Sequence, residues 1–152
     1  MSLTTKGRYA VTALLDLTIN ESRFCYVSLS EVARRQDIPE PYLKQLFRVL
    51  RKAEILEATT GPKGGFRLAR SSSDISIKEI VQVVETRMDT TQCRGNTNCS
   101  SGKECLAHEL WSQLNGEINE FLSSKSLLDV VEESSLLKET THIKQNTVIA
   151  SI

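Results

Sequence analysis

Net charge is the first thing this sequence lacks: 19 Lys+Arg stand against 19 Asp+Glu. A zero balance says nothing by itself about nucleic acid, so only the distribution of charge can carry such a signal. No apolar run approaches the roughly 18 residues of a membrane span, which argues against a helical membrane partner. The opening residues, MSLTTKGRYA, show neither an apolar signal core nor a cleavage pattern. The expectation is a cytoplasmic protein whose thiols stay reduced. Catalytic motifs are missing too. There is no nucleophile–base motif, Walker loop or dinucleotide fingerprint, and Gly61 to Gly65 lacks the spacing of a phosphate loop. No catalytic residue, and no enzyme, is expected. Internal repeats are absent. What remains is an ordinary globular composition, 39% hydrophobic and 25% charged, in 152 residues: enough for one domain with an extension.

The charge that is present is unevenly placed. Met1 to Arg70 carries 12 Lys+Arg and 7 Asp+Glu, an excess of +5 that the remainder of the chain cancels. That basic half has the order of a winged helix. Tyr9, Ala10, Ala13, Leu14 and Leu17 recur at helical spacing and predict a helix over 4–20. Phe24 to Val27 reads as a short strand. Ser28-Leu29-Ser30-Glu31 is a capping box opening a helix to about Gln36. Asp37-Ile38-Pro39 breaks it, and Pro41 suits the first turn of the next helix. That helix has Leu43, Leu46, Phe47 and Leu50 on one face and Tyr42, Lys44, Gln45, Arg48, Arg51 and Lys52 on the other. Two short helices in this order read as a helix-turn-helix, with its core at 28–52. The early residues of the second helix would face base edges, so Tyr42, Lys44 and Gln45 are candidate base contacts. Arg48 and Arg51 are candidate phosphate contacts. Ser28, at the start of the first helix, is a further candidate DNA contact. Ile55 to Thr60, Gly61 to Gly65 and Phe66 to Ala69 form a strand–turn–strand wing over 55–69, where Lys63 and Arg67 supply charge.

Beyond residue 70 the pattern changes. Ser76-Ile77-Lys78-Glu79 is a second capping box and opens a helix through Val84 or Glu85, with Ile77, Ile80, Val81 and Val84 inward. Thr86 to Glu104 has no periodicity, and a loop of this length is usually functional or disordered. Within and just after it lie Cys93, Cys99, Cys105 and His108, spaced C-x5-C-x5-C-x2-H. Four such donors so close together suggest a metal centre. A long helix is expected from Cys105, with Leu106, Leu110, Trp111, Leu114, Ile118, Phe121 and Leu122 as an apolar stripe. Burial of that stripe against a twofold-related copy is the simplest outcome, giving a homodimer. Ser126 to Val131 adds a turn or two of helix, and 132–152 reads as a polar, flexible tail. Cys25, alone in its strand, reads as a small buried hydrophobe.

Several stretches together resemble a known family. LTTKGRYAVTALLDL, YLKQLFRVLRKAEIL, GPKGGFRLAR, TQCRGNTNC and KECLAHELW are similar to the Rrf-type winged-helix regulators, and within them to the IscR-like iron–sulfur cluster regulators. The resemblance runs from about Leu3 to Val131 and suggests a domain over 2–131: a winged helix-turn-helix over 1–70, then a cluster loop and dimerisation helix over 71–131. It implies a mainly α fold with a small β-hairpin wing and a long dimerisation helix. It further implies that Cys93, Cys99, Cys105 and His108 hold a [2Fe–2S] cluster delivered by iron–sulfur assembly machinery. The partner would be double-stranded promoter DNA. The activity would be repression, and sometimes activation, of iron–sulfur assembly genes, the chain's own operon included. Members that sense nitric oxide or cysteine often lack the final histidine. The sequence departs from the resemblance at Lys44, where those regulators carry an acidic residue; this leaves the operator open.

The chemistry of the quartet allows more than one occupant. Thiolates with one imidazole suit an iron–sulfur cluster, and imidazole protonation would make it labile. Three cysteines and a histidine are also a legitimate zinc set. A cluster-free or zinc-binding regulator responding to thiol oxidation, nitric oxide or a protein partner is the alternative reading.

Overall fold

Small and apolar residues at every third and fourth position carry the chain into α1, Thr5–Asn20, with Ala10, Ala13, Leu14 and Leu17 fully buried. The computed structural model describes residues 3–20, 25–86, 89, 91, 93, 96–98 and 100–136. Helix α2, Leu29–Gln36, begins at the expected capping box: Ser28 Oγ accepts from the Glu31 amide, and Glu31 Oε2 accepts from the Ser28 amide. It ends at Asp37, in the left-handed region at φ 52°. Helix α3, Glu40–Lys52, carries Pro41 in its first turn and buries Leu43, Leu46, Phe47 and Leu50. These are the four residues its spacing placed inward.

The wing is an antiparallel pair, β1 Leu56–Thr59 and β2 Gly65–Leu68, with Glu57 opposite Arg67. Val27 adds a third, minimal edge by exchanging backbone hydrogen bonds with Phe66 (2.9 and 2.8 Å). Gly65 permits that edge. Its φ is 152°, and a Cβ there would stand 2.4 Å from the Val27 carbonyl oxygen. Phe66 packs edge-on against Phe47, centroids 4.9 Å apart, which seats the wing on α3. Phe24, the start of the expected strand, lies outside the described residues.

Helix α4, Ile77–Val84, starts at Ser76, whose hydroxyl accepts from the Glu79 amide. Helix α5, His108–Ser124, begins three residues later than its apolar stripe suggested, so Cys105 lies one turn ahead of it. A last helix, α6, covers residues 127–136. It is longer than the expected extension and takes in the first residues of the presumed tail. Its start is fixed by Ser126 and Asp129, which cap each other's amides at 2.8 and 3.1 Å, and by fully buried Leu127. The rest of the tail lies outside the described residues.

One charged side chain belongs to this core. Asp16, 2% exposed, sits on α1 among the buried leucines. It accepts from Arg35 Nε (2.9 Å), Arg35 Nη2 (2.6 Å) and Gln36 Nε2 (2.7 Å), all from the end of α2. Burial pushes the Asp16 carboxyl up. The hydrogen bonds from Arg35 and Gln36, with the Arg35 charge, outweigh burial and hold it below the usual carboxylate range. Its stabilising contribution is therefore complete above the ordinary aspartate pKa and is lost as pH falls through the depressed one. Asp16→Asn should destabilise the protein by about 3 kcal/mol at pH 7, the low end for breaking a buried pair because Arg35 reaches solvent. In urea titrations the gap between wild type and variant should begin to narrow below about pH 4 and shrink further as pH falls. A gap unchanged at pH 3 would remove the charge from the explanation.

Candidate functional site

Two regions hold the residues singled out by the sequence. In the first, Lys44, Gln45, Arg48 and Arg51 are all exposed on α3, opposite the face that holds Leu43 and Leu50. Tyr42 turns aside. It is half-buried, edge-on to Tyr9 of α1 with centroids 5.6 Å apart. Ser28 and Lys63 line one open cleft of about 530 Å³ between the start of α2 and the wing tip, together with Tyr26 and Gly64. The Ser28 hydroxyl is engaged in capping α2 and also meets Glu31 Oε2 at 3.0 Å. Arg67 is engaged as well. It pairs with Glu57 across the strands, and its guanidinium lies 4.7 Å over the Tyr26 ring. The geometry therefore gives Arg67 a bracing role within the wing, while Lys63 stands exposed at the tip. Cys25 corrects an expectation. It is exposed at this cleft rather than buried.

The second region is the cysteine loop. Cys93 is buried, 7% exposed, and its Sγ lies 3.5 Å from Nδ1 of His108, the first residue of α5. The other imidazole nitrogen, Nε2, meets Ser112 Oγ at 3.4 Å and Glu104 Oε1 at 4.0 Å. A hydrogen-bonded second nitrogen fixes ring orientation and tautomer, as it does for metal-bound histidines. Cys105 is half-buried, and its carbonyl accepts from the His108 amide at 3.0 Å. Cys99 lies outside the described residues. Among the described residues, no three His, Cys, Asp or Glu side chains converge on one metal position. The Cys93–His108 pair nevertheless passes a test of fit. Two ligands on one tetrahedral metal, at sulfur and nitrogen bond lengths of about 2.3 and 2.0–2.1 Å, stand about 3.6 Å apart. The same separation suits a thiol–imidazole hydrogen bond.

Sequence reading missed what holds this loop. Asp89 Oδ1 accepts from the Thr91 amide and hydroxyl, both at 2.7 Å, and from Asn115 Nδ2 of α5 at 3.1 Å. The Thr91 hydrogen bonds hold the Asp89 carboxyl below its usual range. A tight hairpin from Ser100 to Lys103 follows, closed by backbone bonds of 2.9 and 2.8 Å, with Ser101 and Gly102 both at positive φ. Ser112 and Glu104 were legible in principle, since both stand four residues from His108. The Asp89–Asn115 contact, 26 residues apart, had no local signal.

The chain matches the Rrf2 family, described as an iron-dependent transcriptional regulator, over residues 3–133. It is 44% identical over 148 residues to a Neisseria meningitidis serogroup A protein whose designation as an HTH-type transcriptional regulator is itself provisional; the match covers 94% of this chain and 99% of that one. It is 39% identical over 138 residues to the HTH-type transcriptional regulator IscR of Vibrio atlanticus, covering 91% and 79%. Among solved structures, T. potens IscR superposes with a TM-score of 0.72 at 33% identity, covering 88% of each chain. CymR of B. subtilis, the global cysteine regulator, superposes with 0.77 at 26% identity, covering 88% and 98%. These relatives are regulators, not enzymes, and no described helix is long and apolar enough to cross a membrane. With its winged helix-turn-helix, its loop and its long terminal helices, this chain belongs to the Rrf2 family of transcriptional regulators.

Proposed function

We propose that this regulator binds promoter DNA as a homodimer and that a [2Fe–2S] cluster, held by Cys93, Cys99, Cys105 and His108, controls that binding. The observation that carries the reading is the Cys93 Sγ–His108 Nδ1 approach, buried in the loop that joins the DNA-reading half to α5. The cluster, when bound, supplies an occupancy that depends on iron–sulfur supply and oxidation. The protein's own part is to fix the imidazole through Ser112 and Glu104, to shield Cys93, and to hold the loop on α5 through Asp89. Target genes would include those for iron–sulfur assembly and the chain's own operon, with the assembly machinery as donor, repression as the main mode and activation at some promoters.

Iron and sulfide assay with an anaerobic absorbance spectrum should find a cluster in the wild type. Cys99→Ala should lose it while keeping its far-UV spectrum and oligomeric state. Operator affinity should differ between loaded and cluster-free protein; equal affinity at every promoter would rule out the switch. The competing reading is a thiol-responsive regulator without a cluster, favoured by the thiol–imidazole distance and by likeness to CymR. Colourless, iron-free protein with full operator affinity would select it.

Dimerisation is supported by α5 itself. None of its 17 residues is buried, and Leu110, Leu114 and Phe121 are 60%, 41% and 61% exposed on one stripe. A twofold copy of the same stripe would remove that surface from water. Leu110→Asp with Leu114→Asp should yield a folded monomer by light scattering, and a surviving dimer would place the interface elsewhere.

On DNA, α3 would enter the major groove with Lys44 and Gln45 toward base edges, Tyr42 at its flank, and Arg48 and Arg51 on phosphate. Lys63 and Ser28 would meet the backbone from the wing and the α2 start, with Arg67 steadying the wing. Arg51→Ala should weaken binding evenly across sequences and reduce the salt slope by about one. Loss confined to one operator position would contradict a phosphate role.

A further inference from the structure

The segment that leaves α4 for the cysteine loop is tied to the far end of the chain. Glu85, the residue after α4, is extended, and its Oε1 accepts three hydrogen bonds: from the Thr4 amide (2.9 Å), the Thr4 hydroxyl (2.6 Å) and the Gly7 amide (3.1 Å). Thr4 and Gly7 are the capping residue and the third residue of α1. In an ordinary capping box these groups are satisfied by side chains within the same four residues. Here the third position is glycine and has no side chain to offer, and the carboxylate comes from 78 residues away. A negative group is also favoured at a helix N-terminus. Gly7 makes the approach possible: a Cβ there would stand 2.7 Å from Glu85 Oε1.

The turn of α1 that Glu85 holds adjoins the DNA-reading helix. Tyr9 meets the Tyr42 ring edge-on. Lys6 shares a cavity of about 120 Å³ with Tyr42, Gln45, Leu46 and Val49 of α3, and Val84 of α4 closes it. In the other direction Glu85 is eight residues from Cys93, with Asp89 pinned to α5 between them. One carboxylate thus stands where the loop, the start of α1 and the flank of α3 meet.

We propose that Glu85 is a positioning residue for DNA binding. Its carboxylate, seated on Thr4 and Gly7, sets the first turn of α1 and, through Tyr9 against Tyr42, the seating of α3. A change in the loop that withdraws the carboxylate alters operator binding. The transmission rests on the cluster-switch reading above; the positioning role does not.

Operator affinity is measured for wild type, Glu85→Ala, Glu85→Gln and Gly7→Ala, each cluster-loaded and cluster-free, with iron per chain as a control. Gly7→Ala displaces the carboxylate while favouring helix, so it separates positioning from helix stability. Glu85→Ala and Gly7→Ala should keep the iron and lose at least fivefold of the loaded-to-free affinity ratio, a usual size for coupling between sites. Glu85→Gln, which retains an accepting oxygen, should keep most of the ratio. Unchanged ratios in Glu85→Ala and Gly7→Ala would overturn transmission through Glu85. Loss of iron in either would make Glu85 part of loop formation instead, and would overturn it equally. If wild type itself shows no ratio, the switch fails. The positioning role is then decided in cluster-free protein: weaker operator binding by Glu85→Ala supports it, and binding equal to wild type overturns it.

Discussion

A carboxylate that has left water must be matched by donors, and Asp16 is where that constraint shapes this molecule. Its position among Ala13, Leu14 and Leu17 makes α1 amphipathic in an unusual way, with an anion inside the apolar stripe. Arg35 and Gln36, adjacent at the end of α2, provide the donors. The pairing fixes α2 on α1 at one rotation and one height, because a bidentate guanidinium tolerates little of either. Since α2 leads into α3 through a turn of only three residues, Asp37 to Pro39, the setting of α3 follows from that of α2. A buried ion pair is weak evidence for stability, but here it acts on register, which a DNA reader needs more.

The helix-turn-helix and wing were legible because their signals are local. Ser28 with Glu31, Pro41 in a first turn, and the glycines of 61–65 each dictate backbone conformation within a few residues, and the elements stand where these signals put them. The apolar face of α3 could be read in the same way, since helical period alone separates Leu43 and Leu50 from Lys44 and Arg51. The start of α5 was less legible. Its apolar stripe begins at Leu106, but that side chain is fully exposed and the helix opens only at His108. Hydrophobic spacing marks a face, not the point at which hydrogen bonding begins. The last helix was underread at its far end: 132–136 is mostly polar and carries no stop signal, so helical period gave no reason to extend it past Val131.

The candidate site was legible as a set of residue types and illegible as a structure. C-x5-C-x5-C-x2-H names candidate donors, yet nothing in the spacing says that Cys93 would be set against the histidine, 15 residues on. Nor does it reveal the carboxylates that reach from this segment to α1 and α5. Glu85 and Asp89 act across 78 and 26 residues, where no periodicity connects donor to acceptor. Arg67 has a partner that charge counting did not reveal. A cation in a wing suggests phosphate, and in the DNA-free protein it pairs with its cross-strand neighbour Glu57.

These features divide the molecule between fixed and adjustable contacts. The HTH half is held by a closed hydrophobic cluster running from Leu14 through Phe47 to Ile80, with the Asp16 network inside it. The loop has no such core. Cys93 is its one buried hydrophobic residue among those described, and hydrogen bonds to α5 and α1 do the rest. Hydrogen bonds at a partly exposed surface each contribute about 1 kcal/mol, so such a loop can be re-set by modest changes in what it binds. A packed core cannot. On the proposed reading, ligand-dependent adjustment would fall on the loop and its few anchors rather than on the packed core.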